Sequence, residues 1–147
     1  MANPTDISPA VSHGGGLYSF VVDTTEHNQM LDITASVQKV ISSAGAAEGI
    51  CTVFAPHTTC AVTLNENTDP DVKKDLFKEL NKVIPWDDGY AHMGGNSAAH
   101  IQSSLLGASE TLPIHGGKLV IGPWQSLFFV ELDGGRTRNV YVKVLRG

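Results

Sequence analysis

The chain has 147 residues, a formal net charge of -5 and a hydrophobic content of 41%. That length suits one domain able to bury roughly two-thirds of its unfolded surface, so no disulfide staples are needed. The acidic balance argues against a general nucleic-acid binder but leaves room for a local basic pocket. No segment approaches the ~20 apolar residues of a membrane span. The opening MANPTDISPAVSHGGG lacks the basic and hydrophobic regions of a secretory signal. Its Pro, Gly and Ser content reads as a flexible leader over 1–16, ahead of a single domain over 17–147. Two cysteines without an export signal suggest reduced thiols in a cytoplasmic protein.

In chain order, LYSFVVDTT reads as a strand, with QMLDIT as its partner across the turn EHN. TASVQKVISSAG reads as a helix capped by Thr34, with Val37, Val40 and Ile41 on one face and Gly45 as its stop. GICTVFAP and TTCAVTLNE are two further strands, broken at Pro56 and His57. TDPDVKKDLFKELNKVIP is the clearest helix: Asp69 caps it, Pro70 suits its first turn, and Val72, Leu76, Leu80 and Val83 form its core stripe. After a loop over 85–95, SAAHIQSSLL forms a short helix ending at Gly107, capped by Asn96 and burying Ala98, Ile101 and Leu105. The rest is β: ETLPIH, KLVIG, QSLFFVEL and TRNVYVKVL, with DGGR as a hairpin turn. Two or three helices among about eight strands, many joined by short turns, indicate an α+β fold.

Three stretches carry candidate chemistry. In YAHMGGNSAAH, His92 and His100 bracket a Gly-Gly-Asn-Ser turn. His100 lies near the start of the short helix, where the macrodipole disfavours an imidazolium. The neutral ring binds metal or accepts a proton. The same helix start offers N–H donors, and Gly94 and Gly95 permit close approach, so the turn from Gly94 through Asn96 to Ser97 is a natural phosphate or carboxylate site. The alternative is a mobile glycine loop with two surface histidines. In APHTTCAVTLNENTDP, His57 sits at a strand turn beside two threonines, and Glu66 follows the strand. Cys60, on an apolar strand, reads as a small buried hydrophobe. In GPWQSLFFVELDGGRTRNV, Trp124 and Gln125 open an apolar strand ending at Glu131, Asp133 and Arg136. These charges form either a substrate clamp or a solvated turn. A carboxylate behind Phe128, Phe129 and Val130 either faces solvent or lines a pocket.

HTTCAVTLNENTDPDVKKDL, YAHMGGNSAAHIQSSLLG and the run from Ser109 to Gly147, with its Gly117, Gly122, Trp124 and Gln125, resemble the YjbQ-type family, also called the secondary thiamine-phosphate synthase family. The resemblance runs in order from about Leu17 to Gly147. It implies a YjbQ-like α+β fold with antiparallel or mixed, sandwich-like sheets, and a homotrimer. It also implies a histidine-rich site able to hold a divalent metal. The matching histidines are His57, His92 and His100; His13, His27 and His115 fall outside the motifs. Zinc is favoured because neutral imidazole suits it and three protein ligands leave a position open.

The activity ascribed to the family is weak thiamine-phosphate synthesis, in which a pyrimidine carbinyl diphosphate loses diphosphate and the nitrogen of a thiazole phosphate takes its place. The Gly-Gly-Asn-Ser helix start, a metal and Arg136 would stabilise the departing charge. One position departs from the family pattern: Pro123 stands where Thr is usual, which removes a backbone N–H.

Two functions fit these residues. One is a metal-dependent enzyme acting on a small phosphorylated substrate, with Glu66, Asp88, Glu131 and Arg136 as catalytic candidates. Trp124 and Gln125 join the glycine turn as substrate-binding candidates. The other is a trimeric metal- or ligand-binding protein without turnover.

Overall fold

Alternation decides the main sheet. In a computed structural model describing residues 6–147, Val140, Val142 and Val144 face inward while Tyr141, Lys143 and Leu145 face out. They belong to β9 (Thr137–Arg146), the longest strand. It pairs antiparallel with β2 (Leu17–Asp23) on one side and β4 (Glu48–Phe54) on the other. β1 (Val11–Gly14) extends the sheet beyond β2, while β6 (Ser109–His115) and β7 (Lys118–Leu119) extend it beyond β4, giving the order β1-β2-β9-β4-β6-β7. A second, three-stranded sheet has β8 (Gln125–Glu131) between β3 (Gln29–Asp32) and β5 (Cys60–Glu66), again antiparallel.

The small sheet is apolar on both faces. Leu31, Cys60, Val62, Leu127 and Phe129 pack toward the large sheet, joining Phe20, Val22, Cys51, Val53 and the β9 valines in the main core. α1 (Thr34–Ala44) closes that core with Val37, Val40 and Ile41. Met30, Ala61, Phe128 and Val130 form a second cluster on the other face, covered by Leu76, Phe77 and Leu80 of α2 (Pro70–Val83) and by Ala99 and Leu106 of α3 (Ser97–Leu106). This is why LFFV reads as continuously apolar: its strand is buried on both sides. The fold is α+β, with three helices among the described residues. No helix among these residues is long and apolar enough to cross a membrane.

Several local expectations hold. Gly45 ends α1 in the left-handed conformation at φ 65°, and Asp69 caps α2 through the Asp71 N–H at 2.9 Å, with Pro70 in the first turn. Others are corrected. β2 and β3 lie in different sheets, so QMLDIT is not the partner of LYSFVVDTT. DGGR is likewise no hairpin turn, because β8 and β9 lie in different sheets and it carries the chain between them.

Part of the expected flexible leader is structured: Val11–Gly14 pair with β2, and Ile7 bridges to Val22. Residues 1–5 of that leader lie outside the described residues. Ile33, not Thr34, occupies the cap position of α1; Asp32 accepts the Thr34 N–H, and the Thr34 hydroxyl accepts from Leu127 N–H. In α2 the inward side runs through Leu76, Phe77 and Leu80, leaving Val83 exposed. In α3, Ala98, Ala99, Gln102 and Ser103 are buried, while Ile101 and Leu105 are 40% and 66% exposed. The inward face is set by two polar anchors, Gln102 to the Ile84 carbonyl and Ser103 to the Cys60 carbonyl. Side-chain hydrophobicity alone points to the wrong face.

Candidate functional site

Three connections cross between the sheets at the same end of the molecule: 24–28, 55–59 and 132–136. A buried ionic network ties all three. Glu131, wholly buried at the end of β8, accepts from Arg138 Nε and Thr24 Oγ1 at 2.8 and 2.7 Å, and from the Leu132 and Asp133 N–H groups. The Arg138 Nη2 also donates to Glu131 Oε2 and to the Thr59 hydroxyl and carbonyl. Two charges taken from water are tolerated together because nearly every lone pair and proton finds a partner. Gly134 and Gly135 let the third corner press onto the first. A Cβ on Gly134 would stand 2.1 Å from the Glu26 carbonyl oxygen, and one on Gly135 2.5 Å from that of Thr24.

In front of this network lies an open cavity of about 360 Å³, lined by Pro56, His57, Thr58, Thr59, Asn96, His100, Asp133, Arg136 and Arg138. Its lining carries Arg136, Arg138 and one carboxylate, Asp133, and Glu131 behind it neutralises Arg138, so net charge does not select a ligand. Exposure does. The Arg136 side chain is 52% exposed, while its partner Asp133 is 13% exposed, 3.0 Å away. Asp133 is further occupied by the Asn96 side-chain amide at 2.9 Å. The guanidinium therefore faces solvent and its carboxylate lies behind it. Asn96 occupies the cap position of α3 yet makes no side-chain cap, because its amide is turned to Asp133. The first N–H groups of the helix are left without that cap, and Asn96 Oδ1 is buried without a partner among the described residues.

His57 accepts the Asn139 N–H on Nε2 at 2.8 Å, which assigns its proton to Nδ1 in the neutral ring. Burial, and then the charge of Arg138, hold its pKa below the ordinary histidine value. His100 faces the same cavity, and His92 meets it edge-on with ring centroids 5.4 Å apart. The His92 ring folds over Gly94, where a Cβ would stand 2.6 Å from Nε2. Gly95 has φ +77° and open space beside it, so its need for glycine is conformational.

The sequence candidates thus divide. His57, Asn96, His100 and Arg136 share the cavity, with His92, Gly94, Gly95 and Ser97 beside it on the loop and first turn of α3. Glu131 lies behind it and is held in the ionic network, which corrects its placing as a reacting carboxylate. Glu66 pairs with Gln125 at the opposite ends of β5 and β8, about 20 Å of strand from the corners. Trp124 stands there too, 63% exposed. Asp88 sits on the exposed loop after α2 and does not line the cavity. These four are therefore not part of this site. Cys60 is buried, its thiol pushed up to about 12 chiefly by burial, which leaves it no nucleophile.

Pro123 fits a tight turn in which Gln125 N–H donates to the Gly122 carbonyl at 3.1 Å, so its missing N–H is not required there. Arg138 and Thr59 were not singled out from sequence. Parity carries the signal: in TRNVYVKVL, Arg138 falls in step with three inward valines and so requires a buried anion.

Among the described residues no three His, Cys, Asp or Glu side chains form a group that could hold a metal ion. His92 and His100 are in edge-on ring contact. His57 does not fit as it stands, since Asn139 occupies its only free lone pair.

The fold recurs in a known group of proteins. The family model described as UPF0047 protein YjbQ-like matches residues 18–147. UPF0047 protein YugU of Bacillus subtilis is 42% identical over 130 residues, 88% of this chain and 98% of that protein. UPF0047 protein MJ1081 of Methanocaldococcus jannaschii is 42% identical over 129 residues, 88% of this chain and 94% of that protein. Among solved structures, the YjbQ/UPF0047 protein of Clostridium acetobutylicum superposes with a TM-score of 0.85 at 44% identity, covering 86% of this chain and 98% of that one. A YbjQ-like protein of unknown function from Sulfolobus solfataricus gives 0.86 at 31% identity, covering 89% and 96%. With the match spanning both sheets, the three corners and the histidine loop, the chain belongs to the YjbQ-like UPF0047 family.

Proposed function

We propose that this protein is an enzyme acting on a small phosphorylated substrate held in the corner cavity, with thiamine-phosphate synthesis as the candidate reaction. One observation carries the reading: a half-exposed guanidinium, an uncapped helix start and two histidines meet in one cavity whose carboxylate, Asp133, is engaged by Arg136 and Asn96. The phosphate or diphosphate sits against Arg136 and the start of α3. Neither Glu131 nor Asp133 is free to move a proton, so the reaction class is one limited by charge rather than by a carboxylate base.

Loss of diphosphate from a pyrimidine carbinyl diphosphate is such a reaction. The carbon–oxygen bond breaks with its electron pair going to diphosphate, and the thiazole nitrogen lone pair closes the new carbon–nitrogen bond. His57, neutral and fixed by Asn139, donates from Nδ1 to the leaving oxygen.

A divalent metal, zinc by preference, is held in this proposal by His92 and His100; His57 joins them only on releasing Asn139. When bound, the metal adds Lewis-acid stabilisation of diphosphate. The homotrimer is also proposed. The outer face of the large sheet leaves Ile50, Phe54 and Leu145 exposed, with Ile50 directly opposite Leu145.

The lack of an unengaged carboxylate in the cavity also favours a second reading, ligand binding without turnover. A turnover assay with the two phosphorylated substrates, with and without chelator, separates the readings, alongside metal content of untagged protein and light scattering for the trimer. Diphosphate release that depends on Arg136 supports the enzyme. Tight phosphate binding with no release supports the binding protein.

A further inference from the structure

The core-facing side of β9 carries an arginine at each end, in step with Val140, Val142 and Val144. Arg138 closes it at the corners, and Arg146 closes it about 27 Å of strand away. Arg138 finds Glu131. Arg146 forms no ion pair with a carboxylate among the described residues. Its Nη2 donates to the Ala44 carbonyl at the end of α1, which leaves the rest of its donor fork for another partner.

Arg146 lines a cavity of about 260 Å³ together with the Gly15 and Gly16 turn, Tyr18, Ala44 and the two residues before it on β9. Gly16 holds the turn tight on β9, since a Cβ there would stand 2.6 Å from the Val144 carbonyl oxygen. Lys143 Nζ holds the same turn from the outer face by donating to the Gly15 carbonyl at 2.6 Å. Two cations thus stand at this turn, and no Asp or Glu among the described residues lines the cavity. Tyr18 packs against the main core beside Phe20, and its hydroxyl has no partner among the described residues. The negative end of α1 is covered: Gly45 and Ala46 N–H groups bond the Ser42 and Ile41 carbonyls, and Arg146 takes that of Ala44. The remaining lining residues, Ala44, Val144 and Leu145, are apolar.

The geometry points to an anion site in this cavity, separate from the corner site and independent of the phosphate reading, that takes a short-chain aliphatic carboxylate. The carboxylate accepts from the Arg146 fork and from the Tyr18 hydroxyl, and the alkyl chain lies against Ala44, Val144 and Leu145. A planar, singly charged group matches a guanidinium whose neighbouring cation, Lys143, is already engaged on the other face. The same strand position that draws a carboxylate from the chain at Arg138 draws one from solution at Arg146.

Amide NMR titrations of the full chain with butyrate, acetate and inorganic phosphate, at constant ionic strength, test it. Butyrate is expected to move the Gly15, Gly16 and Gly45 amide resonances to saturation, and acetate to bind about threefold more weakly for want of two methylenes. Arg146→Gln is expected to weaken butyrate about tenfold. Tyr18→Phe, which keeps the ring and its packing, is expected to weaken it about fivefold. Phosphate is expected to leave these three amides in place. Absence of a saturable shift with butyrate overturns the site, and so does undiminished binding in either variant. Acetate binding as tightly as butyrate overturns the apolar wall. Phosphate moving the same amides as strongly overturns the choice of a carboxylate. None of these results bears on the corner cavity, whose phosphate binding is read at Arg136.

Discussion

The two ends of the small sheet carry similar residues and differ in how those residues are partnered. At one end, Glu131 and Arg138 are buried and bonded to each other and to Thr24 and Thr59 across three sheet crossings. At the other, Glu66 and Gln125 close a simple antiparallel ladder, with Trp124 in the turn before it and largely in solvent. A carboxylate, an aromatic ring and an amide make no site by composition. The crossings matter because each sheet change frees the backbone from its ladder and brings loop residues from distant parts of the chain against one another.

Removing one charge from each end gives the largest contrast. Glu131→Gln leaves Arg138 buried without its counter-charge and is expected to cost about 3–5 kcal/mol of stability. Glu66→Gln at the far end should stay within about 0.5 kcal/mol. Urea denaturation of the two variants checks this, and equal midpoints break the comparison.

A methyl group probes the same difference through packing. Gly134→Ala places Cβ 2.1 Å from a backbone oxygen, so the corner must shift, at an expected cost of about 1–3 kcal/mol. Gly122→Ala, beside the far turn, meets only the flexible end of Gln125 at 3.2 Å and should stay within about 0.5 kcal/mol. Thermal unfolding distinguishes them.

The smallest effect is one of pH, and its sign differs between two histidines. His57 has its pKa lowered by burial and then by Arg138. The unfolded chain therefore takes up the proton first. The contribution of His57 is full above about pH 6.5 and is lost as pH falls through the folded value. His115, the last residue of β6, has its pKa raised by the hydrogen bond it donates to Glu48 and by that carboxylate's charge. Its contribution is present below about pH 6.5 and is lost as pH rises through the folded value. Urea midpoints at pH 5.5 and 7.5 should show His57→Gln flattening the acid-side loss and His115→Ala removing part of the acid-side stability. A shared sign for both variants would contradict the burial assigned to His57.

Much of this architecture was legible from periodicity and capping residues. The α2 start at Asp69 and Pro70, the α1 stop at Gly45 and the inward face of β9 follow from local rules. The sheet partners did not, because a turn signal such as DGGR states that the chain reverses and not which sheet receives it. The face of α3 was misread because Gln102 and Ser103 are buried as hydrogen-bonding anchors while Ile101 and Leu105 face out. The residue types of the histidine loop and of Arg136 single out side chains that the fold brings to one cavity. Arg138 was missed, although its place among alternating valines marks it as a buried cation in search of a carboxylate. Glu66 and Trp124 were grouped with the site by motif and are separated from it by the length of a strand.

The central claim is that the corner end binds phosphate and the far end does not. Titration calorimetry of inorganic phosphate into the parent protein, Arg136→Ala and Trp124→Ala tests it most directly. The expected result is binding to the parent, a loss of at least tenfold, about 1.4 kcal/mol, in Arg136→Ala, and parent-like binding in Trp124→Ala. Undiminished binding in Arg136→Ala together with loss in Trp124→Ala would place the anion at the far end of the sheet and contradict the account.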